Sequence, residues 1–186
     1  PLGGHDIYSA SKAAVEIMTR SWQRAFNGRI ATARAGNVIG GGDYGLDRIV
    51  PDCVRALEAG KSIAVRSPAA TRPWQHVFDC LSGYLWLGAR LADDDSLADA
   101  FNFGPEPEAQ RPVRELVEQF LTPWPGEWTD ASDASAPHEA ATLSLAIDKA
   151  REQLGWQPVW DFATTVQRTA RWYHQRHVVN AEDLHG

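Results

Sequence analysis

The chain has 186 residues, 44% of them hydrophobic, which is enough to build the core of one domain of ordinary size. Its formal net charge of −6 and its sequence pI of about 5.5 argue against a nucleic-acid-binding or membrane-surface protein, because such proteins usually carry a basic patch. No apolar run approaches the roughly 20 residues of a membrane-spanning helix, so no membrane partner is expected.

The first predicted element is a helix over residues 9–26. Its small and apolar residues recur at intervals of three and four and therefore share one face of the helix. These residues are Ala10, Ala13, Ala14, Ile17, Met18, Ser21 and Ala25. Beyond a stop at Asn27-Gly28, the sequence predicts a strand at 30–34, a glycine-rich loop at 36–45, a helix at 49–57, a strand at 62–65 and a loop at 66–73.

The rest of the chain continues the alternation of helices and strands, which indicates an α/β fold. The strands are few and short for a free-standing doubly wound sheet, and the chain opens at Pro1 without a methionine, so we expect it to begin in the middle of a longer protein. The predicted elements are a helix from an Asp79 cap to 91, a strand at 100–103, a helix at 113–121, a short strand near Trp128, a helix from an Asp148 cap to 154 and a helix from an Asp161 cap to 177.

The two cysteines, Cys53 and Cys80, each fall in an apolar helical pattern. Two thiols are too few for a disulfide framework, and no histidines cluster with them. Both are therefore predicted to be buried and free, and no metal site is expected. The sequence contains no recognisable signal peptide, so the expected compartment is the cytoplasm.

Tyr8 and Lys12 are four residues apart at the start of the first helix, so their side chains share one face. A free tyrosine loses its phenolic proton only near pH 10, and a neighbouring ammonium favours the phenolate. The pair is therefore a candidate for removing a proton from an alcohol. Two ordinary surface residues of a helix would show the same spacing.

The segment GGGDYG at 40–45 fits the G-x-G-x-x-G pattern of a dinucleotide-binding loop. Such a loop leaves a strand directly and opens a helix, whereas here several residues follow the strand first and the next helix begins late. No acidic residue stands at a strand end about 20 residues further on. We therefore do not expect this loop to bind the phosphates of a dinucleotide.

Five motifs follow one another in a recognisable order. In this order they resemble the extended short-chain dehydrogenase/reductase family, in its sugar-nucleotide branch, from Gly4 to about Tyr173. The amino-acid sequences of the second and third motifs most resemble those of the CDP-glucose 4,6-dehydratase group within this family. The motifs are YSASK at 8–12, RAGNVIG at 34–40, RPWQHV at 72–77, NFGP at 102–105 and LGWQP at 154–158.

The resemblance implies the C-terminal half of a Rossmann-type fold, with a few parallel strands, flanking helices and a small mixed α/β substrate domain. Residues 1–60 would complete the NAD-binding domain, 61–177 would mainly bind the sugar nucleotide, and 178–186 would be a frayed tail. The implied cofactor is NAD and the implied substrate is a nucleotide sugar. The first helix would form a homodimer interface in the full-length protein.

The resemblance also implies roles for individual residues. Tyr8 would take the proton from the sugar 4-hydroxyl, and Lys12 would hold the nicotinamide ribose. Asn37 would contact the sugar nucleotide near its diphosphate, although an asparagine there would also support the turn. Arg72 would pair with phosphate, for which its planar guanidinium is suited, although a surface arginine before a proline is the alternative.

His138 and Glu139 fall where the family has a nucleotide-binding segment, and Trp74 and His76 are expected to be packing residues. The family's glycine-rich cofactor motif and its elimination residues precede the Tyr-x-x-x-Lys helix and are not in this sequence. The implied activity is NAD-dependent dehydration of a nucleotide-linked hexose, with this chain inactive alone. The alternatives are a 4-epimerase or reductase of the same family, or a non-catalytic sugar-nucleotide-binding module, against which Tyr8 and Lys12 argue.

Overall fold

The structure, a computed structural model, describes residues 6–133 and 142–183. Helices and short strands alternate through these residues, as the sequence predicts. None of the described helices is long and apolar enough to cross a membrane. The elements are α1 (Ile7–Phe26), β1 (Thr32–Ala35), β2 (Asn37–Ile39), α2 (Ile49–Glu58), β3 (Ile63–Val65), β4 (Thr71–His76), α3 (Val77–Asp93), β5 (Ala100–Phe103), β6 (Gln110–Pro112), α4 (Val113–Phe120), β7 (Trp128–Asp130), α5 (Asp148–Leu154) and α6 (Phe162–Asp183).

The strands form three small groups with mostly parallel pairing. β1 pairs with β5, β2 with β4, and β3 with β7, each in parallel, while β6 runs antiparallel to β4. Within the described part of the chain, β1 and β5 have only each other as strand neighbours. The buried Gln75 links two groups, because its side-chain amide donates to the Phe103 carbonyl at 2.8 Å.

Among the described residues, two apolar clusters form the core. The larger lies among α2, β3, β4, α4 and α6, and the smaller lies among α3, β5 and α5. Cys53 and Cys80 are buried free thiols, as predicted, and burial raises the pKa of Cys53 to about 12. The domain boundaries expected at 60 and 177 stay predictions.

Two segments expected to be loops contain strands. β2 lies inside the predicted glycine-rich loop and β4 begins inside the predicted loop at 66–73. β2 is defined by its parallel pairing with residues 74–76 of β4, and the first half of β4 by its antiparallel pairing with β6. Both are contacts between distant parts of the sequence. The sequence also predicts a frayed tail after His177, whereas α6 continues to Asp183.

Two of the three expected helix caps are wrong. His76 caps α3, since its Nδ1 accepts from the Phe78 amide at 3.2 Å. Asp79 instead accepts from the amides of Val159 and Trp160, at 3.0 and 3.2 Å, and so ties α3 to the segment before α6. Asp148 is the first residue of α5 and not its cap. Asp161 does cap α6, accepting from the Thr164 amide at 2.8 Å.

The helix α1 is the least covered of the described α-helices. None of its 20 residues is buried. It is fastened to β1 by Glu16, whose carboxylate accepts from Nε and Nη2 of Arg34 at 2.7 and 2.8 Å and from the Thr32 hydroxyl at 3.1 Å. The hydrogen bond from Arg34 is the main reason that the pKa of Glu16 is lowered.

We expect Glu16→Gln to lower the free energy of unfolding by about 1 kcal/mol at pH 7, a value reduced for the partial exposure of Arg34. Because the folded pKa is lowered, this contribution is present above the ordinary value of 4.5 and is lost as the pH falls through the folded value. Urea unfolding at pH 7 and at pH 3 checks it. Equal differences between variant and parent at both pH values would contradict this role of the Glu16 charge.

Candidate functional site

A cleft of about 1500 Å³ opens where β1 and β3 end. Its walls come from the β1–β2 junction, the loop at 40–48, the start of α2, the segment after β3 and the segment after β7. Crevices at the carboxyl ends of parallel strands are the usual ligand sites of α/β sheets. Tyr8, Asn37 and Arg72 all line it, so the fold brings three of the residues singled out from the sequence to one cavity.

Tyr8 lies in the first turn of α1, at the rim of the cleft, and is 71% exposed. The Nζ of Lys12 lies 5.5 Å from the centroid of the Tyr8 ring. The spacing of four residues on a helix therefore produces the contact that the sequence suggests. The phenol is open to a substrate in the cleft and lies next to a cation.

The β1–β2 junction brings Asn37 into the cleft. A Cβ on Gly36 would lie 2.9 Å from Cγ of Pro73, so glycine allows the junction to pack directly on β4. Asn37 is half-buried and stands opposite Trp74 in the β2–β4 register. Arg72 is also half-buried, and its Nη1 donates to the Thr71 carbonyl at 3.0 Å.

Two further arginines line the cleft, and the sequence motifs do not include them. Arg48 pairs with Asp43 at 3.0 Å. Arg66 pairs with Asp47 at 3.2 Å and approaches Asp52 at 3.9 Å. Of these two arginines, only Arg66 could have been found from the sequence, because it directly follows the predicted strand at 62–65 and therefore lies at a strand end, where ligands bind.

The carboxylate of Asp43 organises its part of the wall. It accepts from the Gly45 amide at 2.9 Å and from Arg48. Burial acts to raise the pKa of Asp43, but these two hydrogen bonds outweigh it and the pKa is lowered. The carboxylate therefore stays charged and holds Arg48 at the cleft.

The glycine-rich segment at 40–45 forms part of the cleft wall, because Gly40 and Asp43 line the cleft. It follows β2, and α2 starts only at Ile49, so the loop does not open a helix as a dinucleotide-binding loop would. Gly42 has φ +89°, a conformation that requires glycine.

Trp74 and His76 have structural contacts. The Trp74 indole is buried and donates to the Arg111 carbonyl at 2.9 Å. The His76 ring lies 4.3 Å from the Trp160 ring, centroid to centroid, and burial lowers its pKa, so it stays neutral. His138 and Glu139 lie outside the described residues. Within the described part of the chain, no group of three or more metal-ligating side chains is placed to hold a metal ion.

Comparison with known proteins gives the chain's relatives. Residues 1–104 match the NAD dependent epimerase/dehydratase family. The chain is 37% identical over 184 residues to CDP-glucose 4,6-dehydratase of Salmonella typhimurium, covering 93% of this chain and 51% of that protein. It is 28% identical over 177 residues to dTDP-glucose 4,6-dehydratase of Streptomyces antibioticus, covering 93% and 50%. The chain spans about half the length of the curated relatives it matches.

Solved structures share the fold. The dTDP-glucose 4,6-dehydratase from Streptomyces venezuelae with NAD and TYD bound superposes with a TM-score of 0.81 at 23% identity, over 96% of this chain and 54% of that chain. UDP-glucuronic acid 4-epimerase from Bacillus cereus, in complex with UDP-glucuronic acid and NAD, gives 0.78 at 16% identity, over 91% and 52%. This similarity confirms the predicted α/β fold of the Rossmann type.

Proposed function

The chain belongs to the NAD dependent epimerase/dehydratase family, and from that premise we propose that it is the C-terminal half of a sugar-nucleotide 4,6-dehydratase. The substrate is CDP-glucose and the product is CDP-4-keto-6-deoxyglucose, made for deoxysugar biosynthesis in the cytoplasm. The 37% identity to a CDP-glucose 4,6-dehydratase supports cytidine as the base, since the dTDP-glucose enzyme reported above is 28% identical.

One observation carries this proposal. Tyr8, with Lys12 beside it, lies at the rim of the same cleft that Asn37 and Arg72 line. Oxidation of a nucleotide sugar at an alcohol requires a proton acceptor and a phosphate-binding cation from the protein, together with a hydride acceptor. A module that only binds sugar nucleotides needs the second group but has no use for the first.

The chain's own residues divide the work of the reaction. The Tyr8 phenol oxygen takes the proton of the sugar 4-hydroxyl, and Lys12 lies over the Tyr8 ring, one helical turn further along α1. Arg72 binds the diphosphate, and Arg48 and Arg66, each paired with an aspartate, offer further guanidinium donors along the cleft. NAD, whose nicotinamide ribose Lys12 would hold, would supply the hydride-accepting and hydride-donating chemistry that the reaction needs at the sugar.

The residues present fit the nicotinamide end of NAD. Lys12 offers three donors to ribose hydroxyls, and Tyr8, one helical turn before it, lines the cleft together with Gly36, which follows the carboxyl end of β1, where α/β sheets bind dinucleotides. The loop at 40–45 does not fit the pyrophosphate, because the Tyr173 hydroxyl occupies its backbone groups. We assign the pyrophosphate and the elimination residues to an N-terminal half outside this chain, and propose that the chain alone is inactive.

The exposure of α1 supports the proposal that this chain is one half of a larger protein. Its exposed side includes Ala10, Ala14 and Ile17, with Ala13 half-exposed. Small residues permit the close approach of another helix. We propose that the N-terminal half and a second copy of the protein cover α1 in a homodimer.

A 4-epimerase is the second candidate function, with a reductase as a further variant in the same family. The similarity of fold to a UDP-glucuronic acid 4-epimerase favours it, since such an enzyme would use the same tyrosine and lysine. The product separates these activities. A dehydratase forms a 4-keto-6-deoxy sugar, whereas an epimerase keeps the 6-hydroxyl and inverts C4.

Sugar-nucleotide binding is tested on the chain itself, because the cleft lies within it. We expect calorimetry to detect CDP binding, and we expect Arg72→Ala to raise Kd about 10- to 100-fold, because a charge-assisted hydrogen bond contributes about 1.5–3 kcal/mol. Arg90→Ala is the matched control, since Arg90 lies over the Trp86 ring at the far end of α3. Failure of the parent chain to bind CDP would contradict the proposed function, and equal effects of the two variants would contradict the role of Arg72.

A further inference from the structure

Tyr173 of the last helix, α6, forms hydrogen bonds with the backbone of the loop at 40–48, which forms one wall of the cleft. Tyr173 is 2% exposed and lies 130 residues away from Asp43 in the sequence. Its hydroxyl accepts from the Asp43 amide at 2.8 Å, and it can donate to the Asp43 carbonyl at 2.7 Å or the Gly40 carbonyl at 3.2 Å. A single phenol therefore satisfies backbone groups at both ends of the turn at 40–43.

Two neighbours of Tyr173 on α6 hold the same loop. A Cβ on Gly41 would lie 2.3 Å from Cδ2 of Trp172, so the indole packs directly on bare backbone. The Tyr44 ring meets the Tyr173 ring edge-on at 5.8 Å. The Arg176 guanidinium lies 5.7 Å from the ring centroids of both Tyr44 and Trp172. We call Trp172, Tyr173 and Arg176 the α6 clamp.

Tyr173 differs chemically from the tyrosine at the rim of the cleft. It is enclosed by protein, and burial raises its pKa, so the phenol keeps the proton that it donates to the loop. It does not line the cleft. Its influence on a ligand must therefore pass through the loop that it holds.

The loop carries charge into the cleft through two residues. Tyr173 bonds to the backbone of Asp43. The Asp43 carboxylate accepts a hydrogen bond from Arg48 at 3.0 Å, and both residues line the cleft. The Gly45 amide donates to the same carboxylate at 2.9 Å and fixes its direction. A chain of direct contacts thus leads from Tyr173 to Asp43 and on to the Arg48 guanidinium.

We propose that Tyr173 is a positioning residue for the nucleoside diphosphate: it fixes the backbone of Asp43, and Asp43 aims Arg48 at the phosphates in the cleft. This inference rests on the proposed function, since it takes the cleft to be the sugar-nucleotide site. It adds a residue from the far end of the chain to the determinants of substrate affinity.

The test is Tyr173→Phe, which keeps the ring and its packing and removes the hydroxyl. We expect Kd for CDP to rise about 5- to 30-fold, as a loss of one to two net hydrogen bonds implies. Amide hydrogen exchange at Asp43 should accelerate at least about tenfold, because its acceptor is gone. Tyr84→Phe is the matched control, since the Tyr84 hydroxyl bonds to Cys80 and its ring packs against the smaller cluster, and Tyr84 does not line the cleft.

A double-mutant cycle with Arg48→Ala tests the route. If Tyr173 acts through Arg48, Tyr173→Phe should change Kd less than about twofold in the Arg48→Ala background. A merely structural role would lower Tm in both tyrosine variants and leave both Kd values at that of the parent, which would overturn the proposal. Unchanged exchange at Asp43 would overturn it independently of any ligand. A parent chain that binds no CDP would overturn the proposed function and, with it, the role in affinity.

Discussion

Replacement of Tyr8 by phenylalanine is expected to lower kcat for CDP-glucose dehydration by about 10²- to 10⁴-fold, because it removes the group that accepts the 4-hydroxyl proton. The measurement uses a hybrid in which this chain follows the N-terminal half of the Salmonella typhimurium relative, 37% identical to the chain. KM should change little, since binding rests on Arg72 and the other cationic groups of the cleft.

Two variants sharpen this prediction. Tyr84→Phe is the control, because Tyr84 packs against the smaller core cluster and is not among the lining residues of the cleft. Its kcat should equal that of the parent. Lys12→Met should also slow turnover, since it removes the donors proposed to hold the nicotinamide ribose. A Tyr8→Phe kcat within a factor of about three of the parent would show that Tyr8 is not the base.

The largest expected loss of stability follows Phe103→Ala. Phe103 is fully buried at the end of β5 and meets the rings of Tyr84 and Trp156 edge-on at 5.6 and 5.0 Å. A Cβ on Gly83 would lie 2.2 Å from its ring, so the surrounding packing is tight. Removing the ring should lower the free energy of unfolding by about 3–5 kcal/mol, as for other buried Phe→Ala changes.

Urea denaturation of the chain measures this loss, with Phe26→Ala as the matched control. Phe26 is 69% exposed on α1, and its recorded ring contact is with Trp22 at 5.5 Å. The control should cost less than about 1 kcal/mol. A loss below 1 kcal/mol for Phe103→Ala would mean that the smaller cluster does not contribute to cooperative folding.

Much of the fold could be read from local sequence patterns. The helices α1, α2, α4 and α6 follow the spacing of their apolar residues, and β5 is bounded by the Gly104-Pro105 stop. The contact between Tyr8 and Lys12 follows from helix geometry alone. Local periodicity determines these features, so no knowledge of distant contacts is needed to predict them.

The rest depends on contacts between distant parts of the chain. β2 has three residues and a glycine-rich continuation, and only its pairing with β4 makes it a strand. Aspartate is a residue type that often caps helices, but the carboxylate of Asp79 accepts from amides that lie 80 and 81 residues away in the sequence. The bond between Tyr173 and Asp43 has no sequence signal for the same reason. Arg48 lies outside every recognised motif, so its place in the cleft appears only with the fold.

Product analysis of the hybrid with CDP-glucose and NAD tests the central claim most directly. We predict that the hybrid forms CDP-4-keto-6-deoxyglucose, that Tyr8→Phe largely abolishes this product, and that the chain alone forms none. A folded hybrid that binds both NAD and CDP-glucose and yields no 4-keto sugar would contradict the claim. So would a hybrid that yields only the 4-epimer, or 4-keto sugar formed by the chain without the other half.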